Sequence, residues 1–367
     1  MHKNIKTTKF HLTSLWFSDN LSLVVVLRCL RGAWPVEFHA WAPLFYTILE
    51  ERMYMTKNFF TYEQQLNKLQ KEKNLIITDI NSAKTTLEKL SYYSLVSGYK
   101  KLFKHNPSQK YIRGVTFDEL VSFYYFDEEL RTLFMKYILH VERHIKSLVS
   151  YYFCEKYGDK DTEYLDINNY IMTSKNAEQI KRLIKSIQKS ISLPSQYAYI
   201  SHHAKLYNNI PLWVAMNAFT FGQVSKMFQY IPNDVQCKIS QKFNDITERE
   251  LHQFITVLAK CRNVCAHGER LFSFRIHETI PDTLLHKKMK IPQKNGDFLY
   301  GKKDLFAVVI ALRFLISASD FKVFKTELSR LINKVLKQCP HITKDKLLTE
   351  MGFPENWDKI IRYKTTL

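Results

Sequence analysis

The sequence predicts an all-α fold, and three observations carry that expectation. Apolar residues recur at spacings of three and four in one segment after another, the period of an amphipathic helix. Only 9 of 367 residues are glycine, about a third of the usual share, which argues against folds built on glycine-rich phosphate loops. Strand signals are weak throughout, and only residues 110–115 read as a short hairpin arm. With 46% hydrophobic residues the chain can bury a large core.

Residues 61–70 place Tyr62, Leu66 and Leu69 on one helical face. Asp79 or Asn81 can cap a helix running to about Leu95, because a short polar side chain there accepts from the first free N–H groups. The strongest segment is 117–157. Leu120, Phe123, Leu130, Phe134, Ile138, Val141 and Ile145 form its apolar stripe, and Gly158 is its stop. Residues 177–191 form a short basic helix closed by Leu193-Pro194. Pro211 opens a helix expected to run through Ala218 and to be interrupted at Phe221-Gly222. Residues 247–266 form a long helix with Phe254, Leu258, Cys261 and Cys265 as its buried stripe. Residues 276–301 are irregular, 305–336 return to helix, and 343–357 form a small terminal element. No internal repeat is evident.

Lys and Arg number 54 against 35 Asp and Glu, a net charge of +19 that points to a polyanionic partner, nucleic acid before an acidic membrane surface. There is no G-x-G-x-x-G and no G-x-x-x-x-G-K-[ST]. Six scattered cysteines with no C-x-x-C read as reduced thiols, so the expected location is cytoplasmic. The longest apolar runs, 21–27 and 305–318, fall short of the roughly 20 residues a spanning helix needs, and Arg313 interrupts the second. No membrane partner is expected. Residues 1–52 stand apart: they carry three of the five tryptophans and no sustained helical period. Two readings are open, a start of translation at Met53 or Met55 and a genuine N-terminal extension.

The chemistry concentrates in Arg262-Asn263-Val264-Cys265-Ala266-His267-Gly268-Glu269-Arg270-Leu271. At 100° per residue Asn263, His267 and Arg270 share a helical face, away from the apolar stripe. Arg262 and His267 lie about 7–8 Å apart along the axis and about 140° apart around it. Cleavage of RNA by its own 2′-hydroxyl needs a base, an acid and a stabiliser of phosphorane charge. Histidine, with a reference pKa of about 6.5, serves as base or acid at neutral pH. Arginine offers a permanent charge and a fork that fits phosphate oxygens. No metal or cofactor is called for. One histidine cannot be base and acid at once, so two copies across a dimer axis would complete the site. Taken as an isolated R-x4-H, the pattern reads as a surface ion pair with Glu269 and a C-terminal histidine favoured by the helix dipole.

The wider chain changes that weighting. Arg262-Asn263-Val264-Cys265-Ala266-His267 resembles the R-N-x-x-x-H core of HEPN ribonucleases, and the whole resembles bacterial AbiD/AbiF-type abortive-infection proteins. Further blocks keep that family's order: 61–66, Tyr92-Tyr93-Ser94-Leu95-Val96-Ser97-Gly98-Tyr99, 116–120, Phe126-Asp127-Glu128-Glu129-Leu130-Arg131, Glu142-Arg143, Pro211-Leu212-Trp213, Phe221-Gly222-Gln223 and Arg270-Leu271-Phe272. Two positions depart from it, Gly268 where relatives often carry a polar residue and Ser273 where they often carry Asn. The resemblance implies a HEPN-like bundle with added N- and C-terminal helical elements, divided as 1–52, 53–110, 111–275 and 276–367. It implies a metal-independent endoribonuclease that arrests growth during phage infection. RNA is the expected substrate, the two-histidine argument makes the expected form a homodimer, and a silencing RNA or protein is expected for a toxin. His267 would be the base or acid, Arg262 would steady the phosphate, and Asn263 would orient either. The alternative is a non-catalytic RNA-binding or sensing module.

Other groups are candidates for RNA contact. Lys181, Lys185 and Lys189, with Arg182 beside them, form a solvated or phosphate-tracking face, and Lys287, Lys288 and Lys290 form a second basic cluster. Arg270 joins the RNA-contact set. Tyr92, Tyr93 and Tyr99 either stack bases or pack the core. His202-His203 reads as a surface loop. Cys261, Cys265 and His267 offer a weak zinc pattern, since His267 turns about 160° from Cys265.

Overall fold

The computed structural model describes residues 58–104, 110–243 and 246–365, and residues 62–367 form one compact unit. The readings made for residues 1–52, and for the starts at Met53 and Met55, lie outside the described residues. The fold is all-α. In chain order the helices are α1 (Tyr62–Lys71), α2 (Ile80–Leu90), α3 (Phe117–Tyr157), α4 (Asp161–Leu165), α5 (Ala177–Ser190), α6 (Ala198–Tyr207) and α7 (Leu212–Ala215). They continue with α8 (Phe221–Tyr230), α9 (Asn233–Ser240), α10 (Glu248–Ala266), α11 (Leu284–Lys288), α12 (Leu305–Leu315), α13 (Ala318–Gln338) and α14 (Lys344–Met351). A two-stranded antiparallel hairpin, β1 (Gln293–Lys294) and β2 (Asp297–Phe298), interrupts the irregular stretch before α12.

The organising element is α3, 41 residues and therefore about 60 Å long. Thr116 and Glu119 close a capping box at its start: each side chain bonds the other residue's backbone N–H, at 3.2 Å. Its stripe, Leu120, Phe123, Leu130, Phe134, Ile138, Val141 and Ile145, is buried throughout. Against it pack α13, α10, α9 and α7, so the N-terminal, central and C-terminal regions share one core. Burial of large apolar side chains at about 2–5 kcal/mol for truncation of each makes this seam the main source of stability. α12 is apolar on every side, with Leu305 through Leu312 all buried, as a helix enclosed by others must be. Among the described residues no helix is long and apolar enough to cross a membrane.

Several expectations are corrected. α2 ends at Leu90, because Ser91 takes a positive φ of 57°, and residues 93–97 follow as a π-helical turn. Phe221-Gly222 starts a helix instead of interrupting one, because Thr220 and Gln223 form a capping box there. The 305–336 helix is two, broken at Ile316 where the Ser317 side chain caps α13 by accepting from Asp320. His202-His203 lies on α6, not in a loop.

Asp304 caps α12 from a buried position, accepting from the Gly301 N–H at 3.0 Å and the Ala307 N–H at 3.1 Å. Gly352 packs so closely on it that no Cβ would fit. Burial raises the Asp304 carboxyl from 3.8 to about 6. A raised carboxylate binds its proton more tightly when folded, so stability falls as pH rises from about 4 to 6 and is level above. The gap corresponds to about 3 kcal/mol. Asp304→Asn, which keeps an acceptor but cannot ionise, is expected to lack that decline relative to wild type in thermal melts across this window. Parallel pH profiles for the two proteins would contradict it.

Candidate active site at the end of α10

α10 begins with a third capping box, Thr247 with Glu250, and buries Leu251, Phe254, Ile255, Leu258 and Cys261. That burial fixes the helix's rotation and directs the polar face outward. Asn263 and His267 are exposed, while Arg262 is partly buried beside α3. The helix stops at Ala266. His267 is its cap, and its N–H donates to Asn263 O at 2.9 Å. Gly268 follows with φ of 67°, a conformation glycine adopts at no cost. The Glu269 N–H then donates to Val264 O at 3.0 Å and the Gly268 N–H to Cys265 O at 3.3 Å, the two bonds of a Schellman stop. Gly268, a departure from the related pattern, is thus what ends the helix at His267.

This stop corrects one expectation. Arg270 does not continue the face of Asn263 and His267, because the helix has ended. Its Nη1 instead donates to Gly98 O at 3.1 Å, in the Tyr92–Tyr99 block. Beyond it the chain is drawn into the core by Asp127 of α3, which is fully buried. The Leu271 and Phe272 N–H groups donate to the Asp127 carboxylate at 3.2 and 2.7 Å. The Tyr99 hydroxyl and Arg131 Nη1 each donate to Oδ2 at 2.8 Å, and Arg131 also reaches Glu269 O at 3.3 Å. Burial pushes the Asp127 carboxyl up, and the Arg131 guanidinium is the strongest of the influences holding it down. One carboxylate therefore ties three separated sequence blocks to the end of α10.

Arg262 is held from below. Its Nε lies 3.7 Å from Oε2 of Glu142, a nearly buried acid on α3. The other oxygen, Oε1, pairs with Lys146 at 2.8 Å, and Lys146 also donates to Phe219 O at 2.7 Å. Two cations share one buried anion, so the group carries a surplus positive charge. Arg262, with 31% of its side chain exposed, presents that charge toward solvent. The 3.7 Å separation exceeds hydrogen-bond length, and neither Arg262 Nε nor Glu142 Oε2 has a hydrogen-bond partner. Arg262 is therefore steered by charge: its buried Nε faces Glu142, and none of its donors is held in a hydrogen bond.

The remaining basic residues lie elsewhere. Lys181, Arg182, Lys185 and Lys189 are exposed on α5, with Lys181 paired to Glu178 at 3.0 Å. That helix packs against α8, which in turn packs against α10. Lys287 is exposed on α11 and borders a cavity with Glu250 and Phe254, near the start of α10 and about 25 Å along the helix from His267. Lys288 is partly buried and donates to Lys364 O at 3.3 Å. Arg262, Asn263 and His267 thus lie on the last turns of α10 and its cap, while Arg270, on the following loop, turns to Gly98. The site leaves out the two lysine clusters. Burial raises the Cys261 thiol well above its usual range, and Cys265 adds to the shift. Tyr99 belongs to the core, whereas Tyr93 is 74% exposed.

The motif blocks of the sequence contain Asp127, Arg131 and Glu142 but assign them no role, and Lys146 lies outside those blocks. The available signal was the spacing. Asp127/Arg131 and Glu142/Lys146 are opposite charges four apart, on or beside an apolar stripe where an unpaired charge would be too costly to bury.

No curated protein and no solved structure matches the chain. A family model does: that of the Abi-like proteins covers residues 85–273, which run from α2 through the Asp127-anchored loop. The match takes in just over half of the chain and the whole of the site, and the chain belongs to the Abi-like protein family.

Proposed function

We propose that the protein is an abortive-infection effector that cleaves RNA through Arg262, Asn263 and His267. Membership of the Abi-like family points to abortive infection, a phage-defence role. The observation that carries the cleavage reading is the pairing of an exposed histidine at a helix stop with an arginine steered from beneath by a buried glutamate. A structural ion pair has no need of an exposed His267 that bonds no side chain, nor of a second cation, Arg262, over a Glu142 already paired with Lys146. In the proposed reaction a His267 imidazole takes the 2′-hydroxyl proton, the 2′-oxygen attacks the adjacent phosphorus, and the 5′-oxygen leaves with a proton. Arg262 stabilises the charge that builds on the phosphoryl oxygens. Asn263, one residue on from Arg262, orients either partner. Base and acid are different imidazoles, so the active form is a homodimer with both α10 ends at the two-fold axis. RNA is the substrate.

Purified protein is expected to cut labelled single-stranded RNA and to sediment as a dimer. A monomer cutting at full rate would remove the two-histidine arrangement, and binding without cutting would favour the sensing module.

A further inference from the structure

Beside the stop of α10 lies an open cavity of about 870 Å³, within the range of small-ligand sites. Its walls include Val264 and Gly268, which lie on either side of His267 in sequence, and Arg270 and Arg275. Tyr93 borders it too. That ring is 74% exposed although Leu95, Val96 and Tyr99 of the same short segment are buried, so a rigid backbone presents an aromatic face to water. The segment is a π-helical turn, a rare arrangement that is frequent at functional sites. Ser91 at φ 57° sets its entry, and the Tyr99 hydroxyl bonded to Asp127 sets its exit.

The polar groups fit a phosphate chain beside that ring. Arg270 uses one of its five N–H donors on Gly98 O. Arg275 uses two, on Phe274 O at 2.7 Å and Glu350 O at 3.0 Å. Both keep donors for phosphate oxygens. Of the two acids on the wall, Glu350 is matched by Lys101 at 2.8 Å, and Glu269 is the other. The cations outnumber the acids, three to two.

We infer that this cavity is the subsite for an unstacked base of single-stranded RNA, with Tyr93 as the stacking platform and Arg270 and Arg275 on the neighbouring phosphates. The substrate class rests on the ribonuclease reading above. The subsite adds that the nucleotide next to the scissile phosphate turns into this cavity. Stacking accepts any base, so the subsite sets single-strandedness and position more than sequence.

The test uses full-length protein carrying His267→Ala, titrated with a short oligoribonucleotide containing 2-aminopurine. Binding should quench the fluorophore. Adding Tyr93→Ala should abolish the quench and weaken binding about five- to 100-fold, whereas Tyr93→Phe should keep both. A duplex of the same sequence should give no quench. Because Tyr93 is exposed, its loss is expected to leave the melting temperature unchanged, which separates a lost subsite from lost folding. Equal quench and affinity in the Tyr93→Ala protein would overturn the subsite, as would absence of RNA binding. Wild type that binds and quenches but never cuts would sink the cleavage reading and leave the subsite standing. Wild type that cuts, with Tyr93→Ala cutting identically, would do the reverse.

Discussion

His267→Ala is expected to lower the rate of RNA cleavage about 10²–10⁴-fold, the usual contribution of general acid–base catalysis, while RNA affinity stays nearly unchanged. Affinity for RNA rests on many phosphate contacts, and the exposed basic residues of α5 and Lys287 of α11 are untouched by the substitution. Growth arrest on expression should disappear with the activity. Arg262→Lys should fail almost as badly, by about 10²–10³-fold, although it keeps the charge. Lysine is a point charge on a flexible stem and lacks the planar fork that can face Glu142 with one edge and phosphate with the other. Single-turnover rates and filter binding measure both effects. If His267→Ala cells still arrest, the protein acts by binding RNA.

Asp127→Ala is expected to cost about 3–5 kcal/mol of stability, because it leaves the Arg131 guanidinium buried without its counter-charge. It also strips the acceptor from the Tyr99 hydroxyl and from two backbone N–H groups. The melting temperature should fall by roughly 10 °C. Asp127→Asn, which keeps one acceptor oxygen, should lose less. The loop after His267 hangs on this carboxylate, so cleavage should decline ahead of global unfolding as temperature rises. A melting temperature within about 2 °C of wild type would contradict the assigned anchoring role.

Much of the scaffold was readable because its determinants are local. The 117–157 helix follows from one apolar period, a capping box that opens at Thr116 and the flanking Gly158, all local to the segment. Places where the reading slipped depend on a choice between two local signals. Thr220-x-x-Gln223 outvoted the break expected from Phe221-Gly222. Ser317 capped a new helix inside a run whose composition reads as continuous. Arg270 leaves the face that helical spacing assigns to it because Gly268, in its left-handed conformation, ends the helix first.

The candidate site was legible as residue types and spacing, and the residues that support it were not. Arg262, Asn263 and His267 follow from residue type and spacing. Glu142 and Asp127 act across 120 and more positions of sequence, and only packing shows that the first faces Arg262 and the second the loop after His267. Tyr93 and Tyr99 sit in one block with opposite fates, one exposed and one buried, because the turn between them sends one ring outward and the other to Asp127.

The central claim is that His267 and Arg262 cut RNA by 2′-hydroxyl attack, a reaction in which no step needs a metal. End-group analysis of the products, made in the presence of EDTA, tests it most directly. The account predicts undiminished cleavage with 2′,3′-cyclic phosphate on one side and 5′-hydroxyl on the other, lost on His267→Ala. Cleavage that EDTA stops, or products bearing 5′-phosphate, would contradict it.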